Sequence, residues 1–371
     1  MIKAAILTIG DEILLGEITD TNSVWIARKL VENGIDPILR ISVGDDRLKI
    51  KDALEFASAS CEILIITGGL GPTKDDITKS CLAEFFGSSI SENPIALASL
   101  EEKLRIRGRE MNALVRTQAQ HPDKAALLEN KVGTAPGIWF TEAKLNCFAL
   151  PGVPYEMKQI FEDSVLPEIK KIAGTSIIIH KYFRTACIPE TQLAERLAQL
   201  EDSMPENQKL AYLPSGGEVK LRLTGRGTNE TEVRSELARI GNQICTSLGN
   251  DIYATEDIEL ASVVAKILGD NDMFLHISDK YIGGVLKSSL YQTEIFLSMP
   301  ELLPENGSGF SIEILWPEIE KVAEIKLIKI QDGIQIGEWK EIVRPFGVIN
   351  VFQNMLRLRG LDMIRRQILF L

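Results

Sequence analysis

The chain has 371 residues, with 41 Lys plus Arg against 52 Asp plus Glu for a net charge of −11, and is 45% hydrophobic and 25% charged. At roughly 150 residues per domain this length predicts two to three domains, each able to bury its own core, and the composition excludes wholesale disorder. The acidic balance argues against a protein that coats nucleic acid or anionic membrane by charge alone, and three dispersed histidines (His121, His180, His276) give little material for a histidine zinc site or a Ser-His-Asp triad.

Lys3 to Ile9 is an apolar run that ends in Gly10-Asp11-Glu12 and reads as a first strand, not as a leader. A helix follows at Asn22 to Glu32, with Gly34 as its C-terminal stop, then a strand at Pro37 to Val43 ending in Gly44-Asp45-Asp46. A helix at Ile50 to Ala59 leads to a third strand, Glu62 to Ile66, whose composition predicts burial on both faces. Helices at Ile77 to Phe86 and Ile95 to Arg107, a strand at Asn146 to Leu150 and a helix at Tyr155 to Ile172 complete an α/β domain over 1–172.

Gly174-Thr175-Ser176 reads as a hinge. Beyond it, a strand (Ile177 to Ala186), a helix (Pro189 to Leu200), two strands joined by a hairpin turn at Pro214-Ser215-Gly216-Gly217, and a helix (Glu230 to Ser247) make a small α+β unit over 175–251. The last part, 252–371, opens with a helix at Ile258 to Leu268 and closes with two strands and a helix; Tyr291 to Pro317 shows no clear period. Five scattered cysteines (Cys61, Cys81, Cys147, Cys187, Cys245) without Cys-x-x-Cys spacing read as reduced thiols of a cytoplasmic protein, and no run approaches the roughly 18 apolar residues of a membrane span.

In an open parallel sheet the C-terminal strand ends share one edge, where ligands bind. Asp11, Glu12, Asp45, Asp75 and Asp76 are therefore expected to converge there, although each acid at a helix start also reads as an N-cap. Thr67-Gly68-Gly69-Leu70-Gly71-Pro72-Thr73-Lys74-Asp75-Asp76 is the densest signal: glycines after a buried strand let backbone N–H groups approach an anion at a helix start. It has the spacing of neither a P-loop nor a dinucleotide fingerprint. Val132 to Gly137 and Leu150 to Glu156, with Pro151 and Gly152, are further loops on which structural and ligand roles are equally readable. So are Asn112 and Arg116.

Six ordered motifs carry a resemblance: Gly10 to Gly16, Asp20-Thr21-Asn22, Gly44 to Asp46, Thr67 to Asp76, Gly133 to Gly137 and Leu150 to Met157. Together they resemble the CinA family (competence/damage-inducible protein) over the first 172 residues. The resemblance implies a molybdopterin-binding-like α/β fold, three-layered with a mostly parallel sheet, and metal-dependent hydrolysis of the pyrophosphate of ADP-ribose. The middle unit resembles the family's small KH-like domain, although it has no Gly-x-x-Gly loop and so gives no support to nucleic-acid binding. The last part resembles a shortened nicotinamide-mononucleotide deamidase domain. There Asp279-Lys280-Tyr281-Ile282-Gly283-Gly284 stands where the family has Glu-Ser-Cys-Thr-Gly-Gly, so Lys280 occupies the nucleophile position. An ammonium is no nucleophile near neutrality unless its pKa is lowered, which implies loss of that activity and a packing or dimerisation role.

The function expected is hydrolysis of a nucleotide-sugar pyrophosphate to AMP and ribose 5-phosphate by a homodimer with no membrane or nucleic-acid partner. Thr67, Gly68, Gly69, Gly71, Pro72, Thr73 and Lys74 would hold phosphates, with Asn112, Gly137, Pro151 and Gly152 as further contacts. Asp45, Asp75 and Asp76 would hold Mg²⁺ or another divalent cation, and Asp11 and Glu12 would serve as further ligand or general base. A non-catalytic module that holds a nucleotide or molybdopterin phosphate is the alternative, and an adenylyltransferase of the molybdenum-cofactor type is a third reading.

Overall fold

Residues 1–142, 144–293, 307–316, 322–345 and 347–369 are described by a computed structural model of the chain. They divide into two compact units, one of Met1–Ile179 with Arg226–Thr231, the other of His180–Gly225 with Glu232–Leu371.

The first unit is built on β1 (Lys3–Ile9), β2 (Asp36–Val43) and β3 (Ile63–Thr67), with helices α1 (Asp11–Leu14), α2 (Thr21–Glu32) and α3 (Arg47–Ser58) between them. Then follow α4 (Thr78–Phe85), the short β4 (Ile90–Glu92), α5 (Pro94–Ile106), α6 (Ala113–Arg116), and the short β5 (Gln120–Pro122) and β6 (Ala126–Leu128). The antiparallel β7 (Gly137–Glu142) and β8 (Leu145–Leu150) precede α7 (Pro154–Ile160) and α8 (Leu166–Ala173). The sheet order is β2-β1-β3-β8-β7-β6. β2, β1, β3 and β8 run parallel, β7 runs against them, and the short β6, antiparallel to β7, again runs their way.

Alternation along the central strands explains the three layers. Ala5, Leu7, Leu64, Ile66, Cys147 and Ala149 pack on one face with Ile50 and Leu54 of α3 and Leu82 of α4. Ala4, Ile6, Ile63, Ile65, Phe148 and Leu150 pack on the other with Ile26 and Leu30 of α2 and the α7 to α8 segment. All five residues of β3 are buried, each apolar side chain contributing about 1.5–3 kcal/mol by leaving water. The expected mostly parallel three-layer sheet is present. The single helix expected over Tyr155 to Ile172 is instead interrupted by a π turn, Phe161–Val165, before Pro167 near the start of α8; proline has no N–H for the regular ladder.

After the first-unit helices, β9 (Ile177–Ala186), α9 (Glu190–Asp202), β10 (Gln208–Ser215), β11 (Glu218–Gly227), α10 (Glu230–Leu248) and β12 (Ile252–Ala254), most of whose residues belong to the second unit, form a sheet of order β10-β11-β9-β12 with two helices. The hairpin turn is narrower than expected: Pro214 and Ser215 belong to β10, and Gly216 and Gly217 alone make the loop, with φ of 57° and 96°. α11 (Leu260–Asp270), β13 (Phe274–Ser278), α12 (Val285–Tyr291), β14 (Ser308–Leu315), β15 (Ala323–Gln331), β16 (Ile334–Val343) and α13 (Ile349–Leu369) follow, with sheet order β13-β14-β15-β16. β14 falls in the stretch without a clear sequence period; residues 294–306 and Pro317 of that stretch lie outside the described residues. Ala186 and Tyr253 join Leu260, Val264, Phe310 and Phe352 in one hydrophobic core, so the segments read as middle and last domains share their interior.

Candidate active site

A cleft of about 560 Å³ opens at the C-terminal ends of β1, β3 and β8. Its size is in the range of small-molecule sites, at the sheet edge where strand order reverses. β3 ends at its back in Thr67-Gly68-Gly69. Gly68 has φ 108°, and a Cβ there would lie 2.0 Å from the Ile9 carbonyl oxygen; one on Gly69, φ 65°, would lie 2.2 Å from Thr78 Oγ1. Only glycine allows β1, β3 and α4 to approach this closely. Among the described residues the backbone N–H groups of Gly69, Leu70 and Gly152 donate to no protein acceptor, and all three residues line the cleft.

The rest of the glycine-rich loop is organised by its own acid. Asp76 Oδ1 accepts the Gly71 N–H at 2.8 Å; its Oδ2 accepts the Thr73 N–H at 2.8 Å and the Thr73 hydroxyl at 2.6 Å. Gly71, Pro72 and Asp76 line the cleft, whereas Thr73, Lys74 and Asp75 are exposed and are not among its walls. The loops after β1 and β2 are locked reciprocally: Asp45 Oδ2 accepts the Asp11 N–H at 3.0 Å and Asp11 Oδ1 accepts the Asp45 N–H at 3.2 Å. Burial first, then the negative charges of Asp11, Glu12 and Asp75, raise the Asp45 carboxyl above its ordinary pKa. The acids after β1, β2 and β3 are thus electrostatic neighbours, as the strand ends predict, but only Glu12 and Asp76 of the five reach the cleft wall.

Asp20 and Asn22, at the start of α2, form the opposite wall. Asp20 caps the helix through the Ser23 N–H at 2.9 Å and accepts the Thr8 hydroxyl at 2.8 Å. Burial alone would raise its pKa; hydrogen bonds from Ser23 and Thr8 and the charge of Arg40 take it below its ordinary value. The Asn22 amide donates to Thr67 Oγ1 at 3.1 Å and to the Gly152 carbonyl at 2.8 Å, tying α2 to the ends of β3 and β8. Its buried Oδ1 has no hydrogen-bond partner.

The remaining wall is a loop held from beneath. Buried Asn130 donates to the Ala135 carbonyl at 2.8 Å and to Glu156 Oε2 at 2.7 Å, and accepts the Val132 and Gly133 N–H groups. A Cβ on Gly133 would meet Glu156 Oε2 at 1.9 Å. Thr134, Ala135 and Glu156 face the cleft as a result. Two expected contacts, Asn112 and Gly137, have roles within the fold, as does Arg116. Asn112 caps α6 through the Val115 N–H at 2.8 Å, Arg116 pairs with Glu92 at 2.6 Å, and Gly137 opens β7 with Ala149 O and Leu128 Cβ each 3.1 Å from where a Cβ would stand. Pro151 and Gly152 are in the cleft wall.

The cleft lining holds four carboxylates, Glu12, Asp20, Asp76 and Glu156, and no Lys, Arg or His. Asp20, Asp76 and Glu156 are engaged by protein donors; Glu12 is the lining carboxylate whose side chain accepts no hydrogen bond among the described residues. No three His, Cys, Asp or Glu side chains among the described residues are grouped to hold a metal ion. The donor chemistry, hard carboxylate oxygen, fits a cation that brings phosphate oxygens and water as its other ligands; it does not fit an all-protein centre on Asp45, Asp75 and Asp76. Beside the cleft, burial pushes the Lys79 ammonium down to about 8 despite the charge of Asp76, while Nζ donates to the Thr117 carbonyl at 3.2 Å.

Comparison with known proteins agrees with this architecture. The family described as "Probable molybdopterin binding domain" matches residues 5–171, and that described as "Damage-inducible protein CinA KH domain" matches residues 180–254. A CinA-like protein of Cytophaga hutchinsonii is 36% identical over 410 aligned positions, covering 99% of this chain and 98% of the relative. One from Flavobacterium psychrophilum is 38% identical, covering 78% of this chain and 69% of the relative. Among solved structures, CinA of Thermoplasma acidophilum, of unknown function, is 31% identical over 45% of this chain and 97% of its own, with a TM-score of 0.42. The molybdopterin biosynthesis enzyme MoaB of Thermus thermophilus is 19% identical over 46% of this chain and 98% of its own, with a TM-score of 0.31. With a relative matched from end to end at this identity, the chain belongs to the CinA family.

Proposed function

We propose that the cleft of the first unit binds a nucleotide-sugar pyrophosphate together with a divalent cation and hydrolyses it, ADP-ribose giving AMP and ribose 5-phosphate. The observation that supports this is the pairing of undonated backbone N–H groups on Gly69, Leu70 and Gly152 with a lining that carries four carboxylates and no basic side chain. Amides at strand ends suit phosphate oxygens. A bare pyrophosphate would meet Glu12, Asp20, Asp76 and Glu156 without a compensating positive side chain, so its charge must be offset by a cation that travels with it. Such a cation, when bound, neutralises charge on the phosphoryl oxygens. Glu12 would hold it or, through a water, take the proton that leaves the attacking nucleophile; Gly69, Leu70 and Gly152 orient the phosphates.

The test is incubation of the full chain with ADP-ribose, with and without Mg²⁺, and chromatography for AMP. AMP formed only with the cation supports the reading. Tight binding of ADP-ribose without AMP would instead establish a non-catalytic binding module.

We infer also that the last segment does not deamidate nicotinamide mononucleotide. Asp279 is buried, and its carboxylate accepts the Lys287 N–H at 3.0 Å inside the start of α12. Gly283 and Gly284, with φ of 71° and 73°, complete the turn into that helix. The segment has a structural use without a nucleophile at position 280. Ammonia released from nicotinamide mononucleotide by the purified chain would overturn this.

A further inference from the structure

At the start of α2 the side-chain donors of the cleft wall are spent within the protein, and acceptors are left. The Thr8 hydroxyl donates to Asp20 Oδ2 at 2.8 Å and the Thr67 hydroxyl to the Pro151 carbonyl at 3.1 Å. The Asn22 amide donates to Thr67 Oγ1 at 3.1 Å and to the Gly152 carbonyl at 2.8 Å. These bonds also fix which way that amide faces. The Gly152 carbonyl can only accept, and the Thr67 oxygen, having given its proton to Pro151, accepts as well, so the Asn22 nitrogen must point at both. Oδ1 is left over: it is buried and without a donor among the described residues, in a residue 8% exposed that lines the cleft. Beside it, each oxygen of Asp20 takes one donor, from Ser23 or from Thr8, and keeps a lone pair beyond it.

A buried amide oxygen without a donor is costly, and the group that satisfies it must bring a hydrogen. An ionised phosphate oxygen cannot, whereas a hydroxyl can. Gly152 joins this acceptor edge to the edge of free amides, because its N–H donates to no protein acceptor among the described residues and its carbonyl holds Asn22. We propose that Asn22 Oδ1 and Asp20 form a hydroxyl subsite for the sugar next to a bound phosphate, which makes the cleft selective for ribose over its deoxy forms. The proposal rests on the nucleotide reading of the cleft. Oxygen acceptors also attract cations, but the unengaged carboxylate suited to one is Glu12, while Asn22 Oδ1 is neutral and stands among groups that already hold their donors. The two edges thus match the two halves of a sugar phosphate: amides for its oxygens, acceptors for its hydroxyls.

Titration calorimetry of the full chain with Mg²⁺ and the methylene-bridged analogue of ADP-ribose, whose bridging carbon resists hydrolysis, tests this. Two further ligands lack both secondary hydroxyls of the adenosine ribose or both of the terminal ribose. One of them should bind the wild type about tenfold more weakly than the parent analogue, and which one identifies the sugar. Asn22→Ala should lose about the same factor for the parent analogue and stay within about twofold of wild type for that deoxy form, whereas mere structural damage would weaken both alike. Asp20→Asn, which keeps the helix cap, should narrow the gap between the two ligands to about threefold or less. Equal affinity of the wild type for all three ligands, or an undiminished gap in both variants, would overturn the hydroxyl subsite and leave the nucleotide reading standing. No binding of the parent analogue would overturn both.

Discussion

Asp76 holds Gly71: the carboxylate accepts the Gly71 N–H at 2.8 Å and, through its second oxygen, both donors of Thr73. The acid expected to carry a metal is thus the buckle of the loop that presents phosphate-binding amides. Asp76→Ala should lower stability by about 2 kcal/mol, a few degrees in Tm for a unit of this size, because it strands donors of charge-assisted bonds. It should also weaken nucleotide binding, and Asp76→Asn should fall between. Thermal melts paired with titration calorimetry check this; full stability with lost turnover would restore Asp76 to a direct chemical role.

Two glycines separate fold from function. Gly68→Ala forces a Cβ to 2.0 Å from the Ile9 carbonyl at a φ of 108°, and should destabilise the first unit by several kcal/mol or prevent its folding. Gly152→Ala meets only Gly68 Cα at 3.5 Å, an ordinary contact. Its melting temperature should stay near that of wild type while nucleotide affinity drops, because the methyl group enters the anion-binding edge.

Asn130 makes four hydrogen bonds from a site that is 2% exposed. Asn130→Ala leaves the Val132 and Gly133 amides and the Glu156 carboxylate without their partner, at about 1–3 kcal/mol for each group that stays buried. Chemical denaturation should show the loss. Limited proteolysis should find new cleavage between residues 130 and 137, and an unchanged pattern would dissociate Asn130 from the loop.

Lys79 gives a pH signature. Its ammonium is held down to about 8 by burial, against an ordinary value of 10.5, so between those values the unfolded chain binds more protons than the folded one. Stability from this group therefore rises with pH from about 8 to 10.5 and is flat below. Lys79→Met should remove that rise; denaturation midpoints measured across the window decide it.

Much of the first unit is legible from periodicity. β1, β2, β3 and β8 are apolar runs closed by glycine or proline, and Asp20, Asp46 and Asn93 cap their helices from the adjoining sequence. β4, β5 and β6 are three residues each, too short to show a period. β14 hides behind Gly309, which a Cβ would drive to 2.3 Å from the Phe274 carbonyl, so a residue that discourages strand assignment is required by the close β13 to β14 approach. The cleft is legible where glycines mark the end of β3. Asn22 is not: Asp20-Thr21-Asn22 reads locally as a helix start, and its role depends on partners 45 and 130 residues away. The five acids look equivalent in sequence, and only hydrogen bonding distinguishes Asp76 as a loop buckle and Asp11 with Asp45 as a lock from the unengaged Glu12.

The most direct measurement is AMP release from ADP-ribose by the full chain and by Glu12→Gln, each with and without Mg²⁺ at equal nucleotide occupancy. Cation-dependent AMP formation is expected from the wild type, and a loss of at least about a hundredfold in Glu12→Gln, with the melting temperature unchanged because the Glu12 side chain accepts no hydrogen bond among the described residues and its backbone contacts to Glu17 and Ile18 are kept. No AMP from the wild type with bound ADP-ribose and Mg²⁺ would contradict it, and equal rates for the two proteins would remove Glu12 from the chemistry.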